Sequence, residues 1–147
     1  MKTSLTAGLF FAAAMYGADN AQVLAKHCMA STPREGVRYS KVPTPYDSGM
    51  KSFRAAYTLK DGSVLGLSVL APMKNGQVHY SSGYASMIVS TTEKGMMTMF
   101  TDVGIDGLLD KVSLATRSTR ISAADTTEEK MQKHYDRIVA QWLEKYR

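Results

Sequence analysis

Ser52-Phe53-Arg54-Ala55-Ala56-Tyr57-Thr58-Leu59-Lys60-Asp61-Gly62-Ser63-Val64-Leu65-Gly66-Leu67-Ser68-Val69-Leu70-Ala71 decides the fold of this chain. Phe53, Ala55, Tyr57 and Leu59 alternate with Ser52, Arg54, Ala56, Thr58 and Lys60, the period-two pattern of a half-buried strand. Leu65, Leu67, Val69 and Ala71 repeat it. The two apolar sets share one face only if the loop between them has the right parity, because a one-residue slip turns every side chain over. A two-residue Asp61-Gly62 turn would set Leu59 against Val64 and Ala56 against Leu67, mixing the faces. A three-residue loop, Lys60-Asp61-Gly62, pairs Phe53 with Val69, Ala55 with Leu67 and Tyr57 with Leu65. The reading is therefore a type I turn with a bulge, Gly62 taking the left-handed conformation.

The same test applied outward gives the opposite answer at Asn75-Gly76, where a two-residue type I′ loop pairs Met73 with Val78 and Ala71 with Tyr80. A long third strand is expected from Gln77 to Ser90, with a bulge at Gly83 that leaves Ala85, Met87 and Val89 pointing inward. Glu93-Lys94-Gly95 reads as a three-residue turn setting Val89 against Met99 and Thr91 against Met97. The result is a four-stranded antiparallel meander, with Leu114 to Ile121 open as a fifth strand. Ile105, Leu108, Leu109 and Val112 have helical spacing behind an Asp106 cap.

Val23, Leu24, His27 and Cys28 fall on one face of a short helix from about Asn20 to Ala30, and Pro43 and Pro45 make an irregular loop of the stretch up to Gly49. At the other end, Met131, Tyr135, Ile138, Val139, Trp142, Leu143 and Tyr146 form one stripe of a long amphipathic helix. Thr126 and Glu129 suit a capping box and Glu129 with Lys133 an i,i+4 pair. The fold class is thus α+β, a meander with the C-terminal helix packed on it.

Residues 1–18 read as a secretory signal: Lys2 supplies the charged start, Leu5 to Tyr16 the apolar run and Gly17-Ala18 the small-residue exit, with cleavage near residues 18–21. At about 1.5 Å per residue, Leu5 to Ala18 spans roughly 21 Å as a helix, short of the roughly 30 Å of a bilayer core. The expected location is periplasmic or secreted, with no transmembrane anchor after cleavage, and residues 19–147 make one α+β domain. With 44% hydrophobic and 21% charged residues the composition is that of a globular domain, not a disordered or fibrous chain. A single cysteine, Cys28, excludes an intrachain disulfide. The formal charge of +5 is concentrated between Lys26 and Lys60, where Lys26, Arg34, Arg38, Lys41, Lys51, Arg54 and Lys60 face only Glu35 and Asp47.

Catalytic chemistry finds little support. His27 and Cys28 are neighbours whose side chains diverge on a helix, so Cys28 reads as a buried structural thiol rather than a nucleophile. Close His/Cys ligand spacing is missing, and no metal or other cofactor is expected. Met87, Met96, Met97 and Met99 would gather on neighbouring strands, a soft-ligand set that also suits a core or an adaptable surface. Asp102, Asp106 and Asp110 lie where carboxylates commonly cap turns, with Asp106 and Asp110 on one helical face. There is no nucleophile elbow, phosphate-binding loop or dinucleotide fingerprint. Tyr39, Tyr46, Phe53 and Tyr57 interleave the basic stretch, but export makes nucleic acid an unsuitable partner.

The leading expectation is an exported, non-enzymatic binding protein acting on a protein partner of the cell envelope, as an inhibitor or immunity factor does. Arg38, Tyr39, Lys41 and Tyr46 are its expected contact residues, since Arg and Tyr anchor interfaces. The alternative is an envelope carrier of a small apolar ligand or soft metal, in a Met- and aromatic-lined pocket between the sheet and the C-terminal helix.

Overall fold

Parity at the first hairpin is as the apolar pattern requires. In the computed structural model, which describes residues 19–44, 49–114 and 128–147, Phe53 pairs with Val69, Ala55 with Leu67 and Tyr57 with Leu65. The Gly62 N–H donates to the Leu59 carbonyl at 3.0 Å and the Leu59 N–H to the Ser63 carbonyl at 2.8 Å, with Gly62 at φ +89°. Asp61 fastens the turn from inside, its Oδ1 accepting from the Ser63 N–H at 2.9 Å. Asn75 and Gly76 at φ +53° and +76° form the type I′ turn that opposes Met73 and Val78.

The chain is α+β, with two helices and a seven-stranded antiparallel sheet among the described residues. Helix α1 occupies residues 19–29. The strands are β1 Val37–Lys41, β2 Met50–Thr58, β3 Val64–Lys74, β4 Gln77–Val78, β5 Ser86–Glu93, β6 Met96–Val103 and β7 Lys111–Leu114, followed by helix α2, Glu128–Glu144. Six strands run in the order β1-β2-β3-β5-β6-β7, and β4 adds a short pairing to β3. Among the described residues no helix is long and apolar enough to cross a membrane.

Four expectations are corrected. The described residues hold seven strands rather than four or five, partly because Val37–Lys41, read as loop, pairs with β2 as an edge strand. The long third strand is broken: Pro72 offers its carbonyl to the His79 N–H at 2.9 Å but has no N–H to return, and the chain turns through residues 79–85 before β5. The β5–β6 turn has two residues, Lys94 and Gly95, both left-handed at φ +51° and +77°, so Val89 faces Phe100 and Ser90 faces Met99. The one-residue shift moves Phe100 into the core and sends Met97 and Met99 to the other side of the sheet. Residues 104–110 are not a helix, since Gly104, Ile105 and Gly107 all have positive φ, a conformation no right-handed helix contains. Thr126 and the remainder of the Leu114 to Ile121 segment lie outside the described residues, as do residues 1–18.

Both helices pack on one face. Leu24, Ala25 and Cys28 from α1 and Tyr135, Ile138, Val139 and Trp142 from α2 share a core with Leu65, Leu67, Val69, Met87, Val89 and Phe100 of the sheet. Trp142 is fully buried and its Nε1 donates to the Gly66 carbonyl of the central strand at 3.2 Å. Glu129 and Lys133 form the expected i,i+4 pair at 3.6 Å.

Candidate functional site

Strand alternation divides the expected contact residues between the two faces. Tyr39 and Lys41 oppose Ala55 and Phe53, on the helix-bearing side, whereas Arg38 opposes Ala56 and points to the other. Tyr46 lies outside the described residues. The Tyr39 hydroxyl donates to the Thr32 carbonyl at 2.5 Å and accepts from the Tyr146 hydroxyl at 2.5 Å. Burial pushes both phenols above their usual range. His27 stacks on the Tyr146 ring with centroids 4.3 Å apart, and Arg34 donates to the carbonyls of Tyr146 and Arg147 at 2.8 and 3.0 Å. Tyr39 therefore ties Tyr146, just past α2, to the segment that follows α1. Its hydroxyl is engaged in holding the fold together.

The face opposite the helices forms a trough of about 500 Å³ across β1, β2, β3, β5 and β6. Ile88, Met97 and Met99 give it a half-buried apolar floor, interspersed with the hydroxyls of Ser68, Ser90 and Thr92. A smaller hollow of about 260 Å³ beside Pro43 and Leu70 shares Ser68 and Ile88 with it. Gly66 sets its low point: Ser90 Oγ lies 2.2 Å from where a Cβ on Gly66 would stand, so the hydroxyl lies over bare backbone.

Charge is one-sided here. Arg38 and Arg54 both line the trough and sit on adjacent strands, opposite Ala56 and Ser40 respectively. Arg38 makes one long contact, 3.4 Å to Thr58 Oγ1. Neither guanidinium pairs with a carboxylate among the described residues, whose two ion pairs both lie at α2. The strands carry only Glu93 and Asp102 as acids, and both share the parity of Met87 and Val89 and face the helices. Other members of the basic stretch are occupied: Lys51 lies over the Phe53 ring at 5.3 Å and Lys26 over Tyr80 at 5.9 Å.

The methionine set does not assemble. Met87 is fully buried on the helix side, while Met97 and Met99 are on the trough floor. The space between sheet and α2, the expected pocket of the carrier reading, is occupied by buried Tyr135, Ile138, Val139 and Trp142. Cys28 is fully buried, its Sγ 3.5 Å from the Phe53 carbonyl, and burial pushes the thiol up to about 12. Burial thus disfavours the thiolate, the form in which a cysteine acts as a nucleophile.

Asp102, Asp106 and Asp110 do meet, with oxygens within 4.8 Å of one another, though across a turn rather than along a helix. Asp102 is fully buried and accepts from the Asp106 and Gly107 N–H groups at 3.1 and 2.9 Å and from the Tyr135 hydroxyl at 2.5 Å. Asp106 Oδ1 takes the Leu108 N–H at 2.9 Å and Asp110 Oδ2 the Val103 N–H at 2.6 Å. These carboxylates satisfy the backbone of the turn, and Gln132 of α2 bonds the Gly107 carbonyl and Leu109 N–H of the same loop at 2.9 and 2.7 Å.

Arg38, expected beside Tyr39 and Lys41, lies instead on the opposite face of the sheet with Arg54. The signal for the trough was the second half of each alternation: Val64, Gly66, Ser68 and Leu70 on β3, Ser86, Ile88, Ser90 and Thr92 on β5. These small or apolar residues occupy the positions that a solvated face fills with charge. Compared with known proteins, the chain matches no family model, no curated protein and no solved structure.

Proposed function

We propose that this chain is an exported, non-enzymatic binding protein that engages a protein partner through the face of its sheet that neither described helix covers, acting by contact as an inhibitor or immunity factor does. The observation that supports the reading is the asymmetry of the two faces. Both described helices cover one side, while the other holds half-buried Ile88, Met97 and Met99 and, towards its other end, two guanidiniums that lack a carboxylate partner among the described residues. Exposed apolar surface rimmed by polar groups is the usual mark of an interaction site, and a shallow open trough suits a macromolecular surface better than an enclosed small ligand. Export rests on the charged, apolar and small-residue order of residues 1–18.

Photo-crosslinking in the native cells tests both parts. With a benzophenone side chain at Ser68 on the trough, or at Ala140 on the exposed side of α2, an adduct is expected from position 68 and none from position 140. The mature chain should be recovered from the envelope fraction with an intact mass shortened by about 18 to 21 residues. Equal adducts from both positions, or none from position 68, would sink the docking face. A full-length cytoplasmic product would sink export.

A further inference from the structure

Resting on the docking face above, we infer that the partner presents an acidic segment, whose carboxylates seat on Arg38 and Arg54 while apolar side chains of the same segment cover Ile88, Met97 and Met99. The geometry gives the trough a polar axis. Arg38 stands on the edge strand β1 and Arg54 beside it on β2, and Met97 and Met99 on β6, four strand spacings from Arg38 and three from Arg54 in the order β1-β2-β3-β5-β6. At about 4.8 Å per spacing the two ends lie roughly 19 Å apart. That is the reach of about six extended residues or of about thirteen helical ones, so one segment can span both ends.

Charge complementarity selects the occupant. A guanidinium presents a planar fork that matches a carboxylate through two parallel hydrogen bonds, and its charge is poorly suited to burial without one. Covering this face with an uncharged surface would desolvate two such groups with nothing in return. A second copy of the chain is no better, because its own trough brings Arg38 and Arg54 and no strand carboxylate on that side. The methionine end is chemically different: flexible thioether side chains repack around varied apolar residues without demanding one shape. The partner's anchor is therefore set by acid at one end, with tolerance at the other.

The test uses the folded chain and a display library of random peptides of about 16 residues, long enough to span the trough in either conformation. The wild-type protein, Ser68→Tyr, R38Q/R54Q and R38E/R54E are each immobilised, after checking that all four share one thermal midpoint. Wild type is expected to enrich peptides with neighbouring Asp or Glu residues and nearby Leu, Ile, Phe or Met. Synthetic copies should bind R38Q/R54Q about tenfold more weakly, should weaken several-fold between about 50 and about 300 mM salt, and should not bind Ser68→Tyr. R38E/R54E should enrich Lys and Arg instead. Peptides that Ser68→Tyr blocks but that show no acidic bias, or no response to the arginine variants, would overturn the acidic partner and leave the docking face standing. No enrichment, or enrichment insensitive to Ser68→Tyr, would overturn both. Arginine-dependent binding to vesicles of phosphatidylglycerol and phosphatidylcholine, without peptide enrichment, would assign the face to an anionic membrane surface and overturn the acidic segment.

Discussion

Replacing Trp142 by alanine lowers the free energy of unfolding by about 3–5 kcal/mol, an expected loss large enough to leave a domain of ordinary stability, about 5–15 kcal/mol, close to unfolding. Trp142 is the largest of the fully buried side chains, and it comes from the last turns of α2 onto the middle strand of the sheet. Truncation removes the apolar area it buries and leaves a cavity that the hydrogen-bonded strands cannot readily collapse into. It also removes the Nε1–H that the Gly66 carbonyl accepts at 3.2 Å. Trp142→Phe separates the two contributions, since it keeps an aromatic ring and loses the donor. Its expected cost is about 1–3 kcal/mol. Urea denaturation of the two variants at one pH measures both, and an unchanged midpoint for Trp142→Ala would mean that α2 does not hold the sheet.

The second large effect is a pH dependence centred on Asp102. Burial pushes this carboxyl up to about 7, in spite of the Tyr135 hydroxyl and the Gly107 and Asp106 N–H groups that favour its charge; in the unfolded chain it titrates near about 3.9. The native state therefore holds a proton that the unfolded state has released. Stability from this group is fully present below about pH 4, is lost progressively as pH rises through about 7, and is absent above that. The full span is worth about 4 kcal/mol at 1.36 kcal/mol per unit. Burial raises Asp110 and Asp136 as well, which adds in the same direction. His27 and His134 are lowered by burial, so their contribution fades as pH falls below the usual histidine range and opposes the trend.

Asp102→Asn isolates the carboxyl from these others. Its amide nitrogen cannot accept from the Asp106 or Gly107 N–H, so one buried donor loses its partner, at an expected cost of about 2–4 kcal/mol at pH 5. Because the wild type itself loses the contribution of the protonated acid as pH rises, the deficit of the variant should narrow by more than half at pH 8. Thermal or urea midpoints of both proteins across that range give the comparison. A deficit that stays constant with pH would show that Asp102 does not titrate there.

What could be read from the linear chain was whatever depended on neighbours in sequence. The β2–β3 register followed from matching two apolar alternations across one loop, the Asn75-Gly76 turn from residues that tolerate φ above zero, and the α2 stripe from a period near 3.6. Cys28 was legible as a buried thiol because the helical face it shares with Leu24 has no other use. The β5–β6 turn defeated the same reasoning, since Lys94 adopts φ +51°, which nothing in a lysine announces. Val37–Lys41 was obscured by the prolines that follow it, and the residues 104–110 turn by apolar residues spaced as in a helix but held apart by glycines.

The sequence by itself determined the class of the fold, the pairing of β2 with β3, the amphipathic C-terminal helix and the excess of positive charge before Lys60, because each is a property of periodicity, turn chemistry or composition. Only the tertiary structure decided that both described helices lie on one side of the sheet, that Arg38 and Arg54 stand at one end of the opposite face and Met97 and Met99 at the other while Tyr39 turns away to bind Tyr146, and that Asp102 is buried against Tyr135. Those are contacts between residues far apart along the chain, and their formation depends on which faces are left to pack once the local pattern has been satisfied.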